Sequence, residues 1–205
     1  MPLLSALPPS AFVAACAPPP HGKILVRGGI DPLDIRPTVA MAQLDRMAKE
    51  TGAGGGAHRA YGFYFGAAAY VVTADIGNPA QDACQGPIAI NVTMRLTNRH
   101  IGISRDISAR SCRYARITAH YRHHAEADEA VFQRYVLKVT SVLSATGPAA
   151  LIAGSDDTPA RITRAVNAMI EPVLDDMDAA RAAARTAVDT PSETEKLNAP
   201  CDDSL

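Results

Sequence analysis

The sequence predicts an α+β fold in which a small antiparallel sheet packs on a long helix and a further C-terminal helix follows. Short alternating apolar segments in the first half predict the sheet, and two long helical patterns in the second half predict the helices. The chain has 205 residues, 47% of them hydrophobic and 20% charged, which is typical of a globular domain. We divide it into a leader (1–20), a single α+β domain (21–188) and a disordered tail (189–205).

Four short segments have the apolar, β-branched and aromatic character of strands. They are 24–26, 61–74, 88–96 and 100–104. Because turn-forming residues occupy 97–99, the last two segments are predicted to form an antiparallel hairpin. Apolar residues at helical spacing over 37–49, with Pro37 at the first position, predict one short helix between the first two strands.

The long helix is predicted from about Cys112 to Ala145, with Ser111 as its N-cap and Gly147-Pro148 as its stop signal. A second helix is predicted from Thr158-Pro159 to about Val188, with a kink at Pro172.

The long helix carries polar side chains on its apolar face. At 100° per residue, His120, His124 and Asp128 fall on the same side as the apolar stripe. That stripe comprises Ile117, Val131, Tyr135, Val139 and Val142. A buried polar group without a partner costs about 1–3 kcal/mol, so the cluster needs a partner. Zinc held by His120, His124 and Asp128 is one solution, and mutual hydrogen bonding is another. The alternative is that these are surface or core histidines without a function.

The residues from His100 to Asp106, the Ser111-Cys112 pair and His120-Tyr121-Arg122-His123-His124 resemble uncharacterised exported bacterial proteins of the zincin type. In those metallopeptidase-like proteins, a strand and a Ser-Cys pair lead into a helix with an H-E-x-x-H motif. The resemblance covers about 45 residues, roughly 90–135.

The resemblance implies that His120 and His124 are metal ligands and that Tyr121 replaces the glutamate of the motif. That glutamate is the general base, and tyrosine, with a pKa of about 10, is a poor base at neutral pH. The resemblance thus implies metal binding without ordinary zincin hydrolysis. Asp128 or a distant carboxylate would be the third ligand. His58 and His100 could also complete a metal site in the folded chain, and His123 lies beside the site.

The N-terminus indicates export. Val13-Ala14-Ala15-Cys16 is similar to a lipoprotein cleavage site, and Ala15-Cys16-Ala17 also fits an ordinary signal-peptidase site. The segment lacks basic residues and contains Pro8-Pro9, so a disordered leader is the alternative. Export predicts a periplasmic or lipid-anchored protein, attached to the membrane through a lipidated Cys16.

The remaining cysteines also bear on export. In an oxidising compartment, Cys84 and Cys112 are predicted to form a disulfide, with Cys201 unpaired in the tail.

The composition excludes some function classes. A net charge of −1, no tryptophan and 5% aromatic residues argue against nucleic-acid binding. The leading hypothesis is a degenerate zincin-like exported protein, either binding zinc without hydrolysis or catalytically inactive. One alternative is a structural or interaction protein of the cell envelope, whose C-terminal helix contacts an envelope partner. The other is a hydrolase that uses a different general base.

Overall fold

The computed structural model describes residues 22–50, 61–76, 87–152 and 159–201. The elements in chain order are β1 (Lys23–Ile30), β2 (Asp34–Pro37), α1 (Met41–Glu50), β3 (Gly62–Ile76), β4 (Pro87–Ile103), α2 (Cys112–Ile152), α3 (Pro159–Val188) and α4 (Pro191–Asn198). The predicted α+β class, a small sheet with a long helix and a further C-terminal helix, is confirmed.

Strand β4 is the centre of the sheet. Strand β3 pairs antiparallel to it from end to end, while β1 and β2 both pair parallel to it. Because β3 occupies one edge of β4, β1 and β2 must follow each other along the opposite edge. The sheet is therefore mixed, and the predicted antiparallel pairing holds only for β3 and β4.

The predicted hairpin at 97–99 is wrong, because the chain runs through these residues as one strand. Asn98 has φ of 53°, and β3 pairs through Phe65 with His100 but through Ala67 with Thr97. Strand β4 thus has one more residue than β3 at this point, which is a β-bulge. An extra residue moves the following side chains to the other face of the strand.

The bulge explains the two halves of the core. Before it, alternate β4 residues from Ile90 to Leu96 are buried in the main core, and after it the buried pair is Ile101 and Ile103. Ile117, in the first turns of α2, packs against this second pair. Both halves of β4 therefore present apolar side chains to the helical layer.

Helices α2 and α3 lie on one face of the sheet and pack against each other. The buried residues of α3 recur at intervals of three or four, as expected of one helical face. They are Ile162, Val166, Ile170, Val173, Met177 and Arg181. The last of them is charged, and its partner lies on α2.

The predicted helix signals are mostly confirmed. The Oγ of Ser111 accepts a hydrogen bond from the Tyr114 N–H (3.1 Å), which caps α2. Gly147 leaves the helical conformation with φ of 72°, at the predicted stop, although the helix resumes to Ile152. Helix α3 continues through Pro172. Pro37, predicted to open the first helix, instead ends β2.

The C-terminal segment differs from the predicted tail. Residues 191–198 form α4, and Cys201 is joined to Cys112 in a disulfide with an S–S distance of 2.09 Å. The predicted Cys84–Cys112 disulfide is therefore wrong, because Cys112 pairs with Cys201 instead. Cys84, Cys16 and the proposed leader lie outside the described residues.

Two properties bear on the location of the protein. The Cys112–Cys201 disulfide is consistent with a non-cytoplasmic protein. Among the described helices, none combines the length and apolar character needed to cross a bilayer.

Candidate metal centre

Helix α2 brings two histidine rings together. His120 and His124 are four residues apart, so they lie one turn from each other on the same face of the helix. Both residues are only 6% exposed, and their Nε2 atoms are 3.1 Å apart. The prediction that these two polar side chains lie on the inward face is confirmed.

The third member of the cluster is Asp189, which directly follows the last residue of α3. Its Oδ1 lies 3.0 Å from Nε2 of His124 and 3.2 Å from Nε2 of His120. The three atoms therefore form a nearly equilateral triangle. The Asp189 side chain is 56% exposed, so the cluster is buried on the histidine side and open to solvent on the carboxylate side.

Hydrogen bonding cannot satisfy all three contacts of this triangle. Each imidazole Nε2 carries either one hydrogen or one lone pair, but never both. A hydrogen bond between the two Nε2 atoms needs a hydrogen on one and a lone pair on the other, and the nitrogen with the lone pair then has no hydrogen to donate to the Asp189 carboxylate. If both nitrogens carry hydrogen, both can donate to Asp189 but not to each other, so at most two of the three contacts can be hydrogen bonds. A cation among three lone pairs would satisfy all three at once.

The spacing of the three atoms also suits a metal ion. Nitrogen and oxygen ligands bind zinc at about 2.0–2.2 Å, so tetrahedral ligands at about 2.0–2.1 Å lie roughly 3.3–3.4 Å from one another. The observed separations of 3.0–3.2 Å are slightly shorter than this. A small outward movement of the side chains would accommodate the ion.

Burial favours the neutral form of both imidazoles, which is the form that binds metals. It lowers the pKa of His120 and of His124, and the nearby Asp189 carboxylate opposes this effect in each case. A neutral imidazole offers a lone pair, whereas an imidazolium does not.

Asp128, predicted as the third ligand, belongs to a different network. It is fully buried, and both of its carboxylate oxygens accept hydrogen bonds from Arg181 of α3, at 2.8 and 3.0 Å. Oδ2 also accepts a hydrogen bond from the Tyr64 hydroxyl at 2.9 Å. Arg181 in turn donates to the Gly66 carbonyl oxygen at 2.8 Å. Asp128 thus neutralises a buried arginine and ties α2, α3 and β3 together.

Tyr121 occupies the place of the motif glutamate but faces the sheet. Its hydroxyl donates a hydrogen bond to the Gly62 carbonyl oxygen at 2.5 Å, and its ring stacks on His124 with centroids 5.5 Å apart. Burial raises the pKa of this phenol well above its ordinary value. Tyr121 therefore has the position of a packing residue and lacks the properties of a general base.

The other two histidines that the structure describes, His100 and His123, do not join the cluster. His123 is exposed and lines a cleft with His120 and Glu193. The ring of His100, in β4, packs against Phe63 and Phe65 on the sheet. His58 lies outside the described residues.

Sequence reasoning missed Asp189 and Glu193, although a local signal was present. Thr190, Pro191 and Glu193 have the spacing of a capped helix start, with proline at the first helical position. In the structure, the Thr190 Oγ1 accepts a hydrogen bond from the Glu193 N–H (3.2 Å), as that pattern predicts. The segment classed as a tail therefore contained evidence of order.

The chain was also compared with known proteins. No family model matches it, and no match was found among curated proteins or solved structures.

Proposed function

We propose that this protein is an exported, zincin-like metal-binding protein that does not carry out ordinary zincin hydrolysis. His120, His124 and Asp189 would hold the ion, with zinc as the metal that suits these ligands best. The observation that carries the proposal is the triangle of three ligand atoms 3.0–3.2 Å apart, which hydrogen bonding alone cannot satisfy.

The ligand types favour zinc over the hard cations. Two imidazoles and one carboxylate are borderline ligands that suit zinc and its neighbours in the first transition row. Magnesium and calcium prefer sites made entirely of oxygen atoms. Two histidines and one carboxylate would leave a fourth ligand position free, and the exposure of Asp189 would let solvent reach a bound ion. When bound, zinc supplies Lewis acidity at this position.

Ordinary zincin hydrolysis needs a general base, and the chain has a tyrosine in the place of the motif glutamate that would supply it. The side chain that follows His120 is a tyrosine hydrogen-bonded to β3. A positioned general base contributes about 10²–10⁴-fold to such reactions, and Tyr121 cannot supply this contribution.

Export is the other part of the proposal. It is supported by the small residues before Cys16 and by the Cys112–Cys201 disulfide. The lipid anchor at Cys16 belongs to the same proposal, and labelling of the expressed protein with a radioactive fatty acid tests it separately.

The test of metal binding is the zinc content of the intact protein after equilibration with zinc and removal of the free ion. We expect one zinc ion per chain in the wild type and loss of this zinc in His124→Ala. His123→Ala is the matched control, because it removes an exposed imidazole next to the site, and it should keep its zinc. A wild-type protein without stoichiometric zinc would refute the proposal.

A further inference from the structure

Helix α4 runs antiparallel to the first turns of α2 and covers the outer edge of the histidine cluster. Three contacts, about one helical turn apart along α2, define this arrangement. Cys201 is bonded to Cys112, Arg116 donates to the Ala199 carbonyl oxygen at 2.8 Å, and Glu193 faces His120. The start of α4 is therefore held beside the candidate ligands.

His120 has a second ring nitrogen that is buried and unpartnered. Its Nε2 belongs to the ligand triangle, while Nδ1, on the opposite edge of the ring, has no hydrogen-bond partner within the described parts of the chain. A buried polar atom in this condition calls for an explanation, since it costs about 1–3 kcal/mol. The Glu193 carboxylate lies close to this atom, with its Oε2 3.8 Å away.

The N-terminal cap of α4 does not use the Glu193 side chain. In a capping box, the glutamate side chain would bond back to the backbone N–H of the N-cap residue. Here the Thr190 N–H instead donates to the Val188 carbonyl oxygen at 2.8 Å. The Glu193 carboxylate therefore does not bond to the N-cap residue. Its Oε1 accepts a hydrogen bond from the Lys196 ammonium group at 2.6 Å.

We propose that Glu193 is a positioning residue that orients His120 for metal binding by accepting a hydrogen bond from its Nδ1–H. The inference rests on the proposed function. When Nε2 serves as a ligand, the neutral ring must carry its hydrogen on Nδ1, which turns this atom into a donor directed at Glu193. Carboxylates in this position fix the tautomer and the ring orientation of a ligand histidine. For this hydrogen bond to form, the Glu193 carboxylate must approach Nδ1 from the observed 3.8 Å to about 3 Å.

This position also defines what Glu193 does not do. It faces the edge of the imidazole opposite to the ligand atoms, whereas a general base must reach the open position beside those atoms. Glu193 therefore suits an orienting role and does not replace the base that Tyr121 lacks.

The test compares zinc affinity in the full, disulfide-bonded chain. We expect Glu193→Ala to weaken zinc binding by about 10- to 100-fold. Glu193→Gln keeps an oxygen acceptor but no charge, so it should lose less affinity than Glu193→Ala. Glu195→Gln is the matched control, because it removes a charge from an exposed position on the same helix and should bind zinc like the wild type.

A spectroscopic readout separates orientation of the ring from general loosening of α4. In ¹H–¹⁵N spectra of the zinc-loaded wild type, the Nδ1–H of His120 should give a signal that exchanges slowly with water. This signal should broaden or vanish in Glu193→Ala and persist in Glu195→Gln, which retains both the Glu193 carboxylate and its Lys196 partner.

Zinc affinity of Glu193→Ala within about threefold of the wild type would overturn this inference alone, because it falls below the loss expected for an orienting carboxylate. An Nδ1–H signal that is unchanged in Glu193→Ala would do the same. A wild-type protein that binds no zinc would overturn the proposed function and this inference with it.

Discussion

Asp128 and Asp189 are both close to the histidine helix, yet their surroundings give them opposite roles. Asp128 is fully buried and bound by Arg181 through both oxygens, so its charge is already neutralised. Asp189 is largely exposed, and its Oδ1 faces two imidazole nitrogens, at 3.0 and 3.2 Å. The first carboxylate is therefore a structural ion pair, and the second is the candidate ligand.

This contrast predicts that two isosteric changes have separate effects. Asp128→Asn should lower the free energy of unfolding by about 3–5 kcal/mol, because it removes the buried counter-ion of Arg181 and leaves only the exposed Asp178 carboxylate, 3.2 Å away. Asp189→Asn should change stability by less than about 0.5 kcal/mol, as expected at an exposed position, but should greatly weaken zinc binding. Chemical denaturation and zinc titration of both variants measure these effects. The account is contradicted if Asp128→Asn loses zinc while Asp189→Asn keeps it.

Tyr121 yields a second prediction at the residue scale. If the lack of a base is what prevents hydrolysis, zinc-loaded Tyr121→Glu should cleave a peptide substrate about 10²–10⁴ times faster than the wild type. Tyr121→Gln is the matched control, since the glutamine side chain has the same length as that of glutamate but cannot accept a proton. Peptidase activity of the zinc-loaded wild type as high as that of Tyr121→Glu would contradict the role given to Tyr121.

At the scale of elements, the clearest difference between sequence and structure lies in β4. The apolar phase changes between Leu96 and Ile101, and the turn-forming residues between them, 97–99, predicted a hairpin of two strands. A bulge at Asn98 and Arg99 produces the same change of phase within one strand. Residue patterns alone do not distinguish the two, because only the partner strand shows whether the chain reverses.

The helices were more predictable because their signals are local. The Ser111 cap, Gly147 and Pro159 mark helix ends through the backbone of their own neighbours. The contacts of α4 are not local, since its end is joined to the start of α2 by a disulfide between residues 89 positions apart. No spacing rule identifies such a partner.

Removing the Cys112–Cys201 disulfide should destabilise the protein. Cys112→Ser combined with Cys201→Ser should lower the free energy of unfolding by about 2–4 kcal/mol, because the unfolded chain loses a long closed loop. Ser192→Ala, at an exposed position of α4, is the control and should unfold like the wild type. Peptide mapping without reduction checks the pairing itself. A peptide that links Cys84 to Cys112 would contradict the fold of the C-terminal segment described above.

At the scale of the whole molecule, the candidate site lies where three distant segments meet. The sheet supports the first turns of α2, the end of α3 supplies Asp189, and α4 brings Glu193 to the outer edge. The helical period predicted the two histidines, because both lie on one helix. The same period favoured Asp128 as the third ligand, because Asp128 lies on the same face of α2. The sequence did not show that Arg181 of α3 binds this carboxylate, because that contact depends on the packing of α3 on α2.

Zinc-edge X-ray absorption of the zinc-loaded protein can show whether His120, His124 and Asp189 form one zinc site. We expect nitrogen and oxygen ligands at about 2.0–2.2 Å, with outer scattering from two imidazole rings that falls to one ring in His124→Ala. Sulfur ligands at about 2.3 Å, or a wild-type spectrum without imidazole scattering, would contradict this expectation.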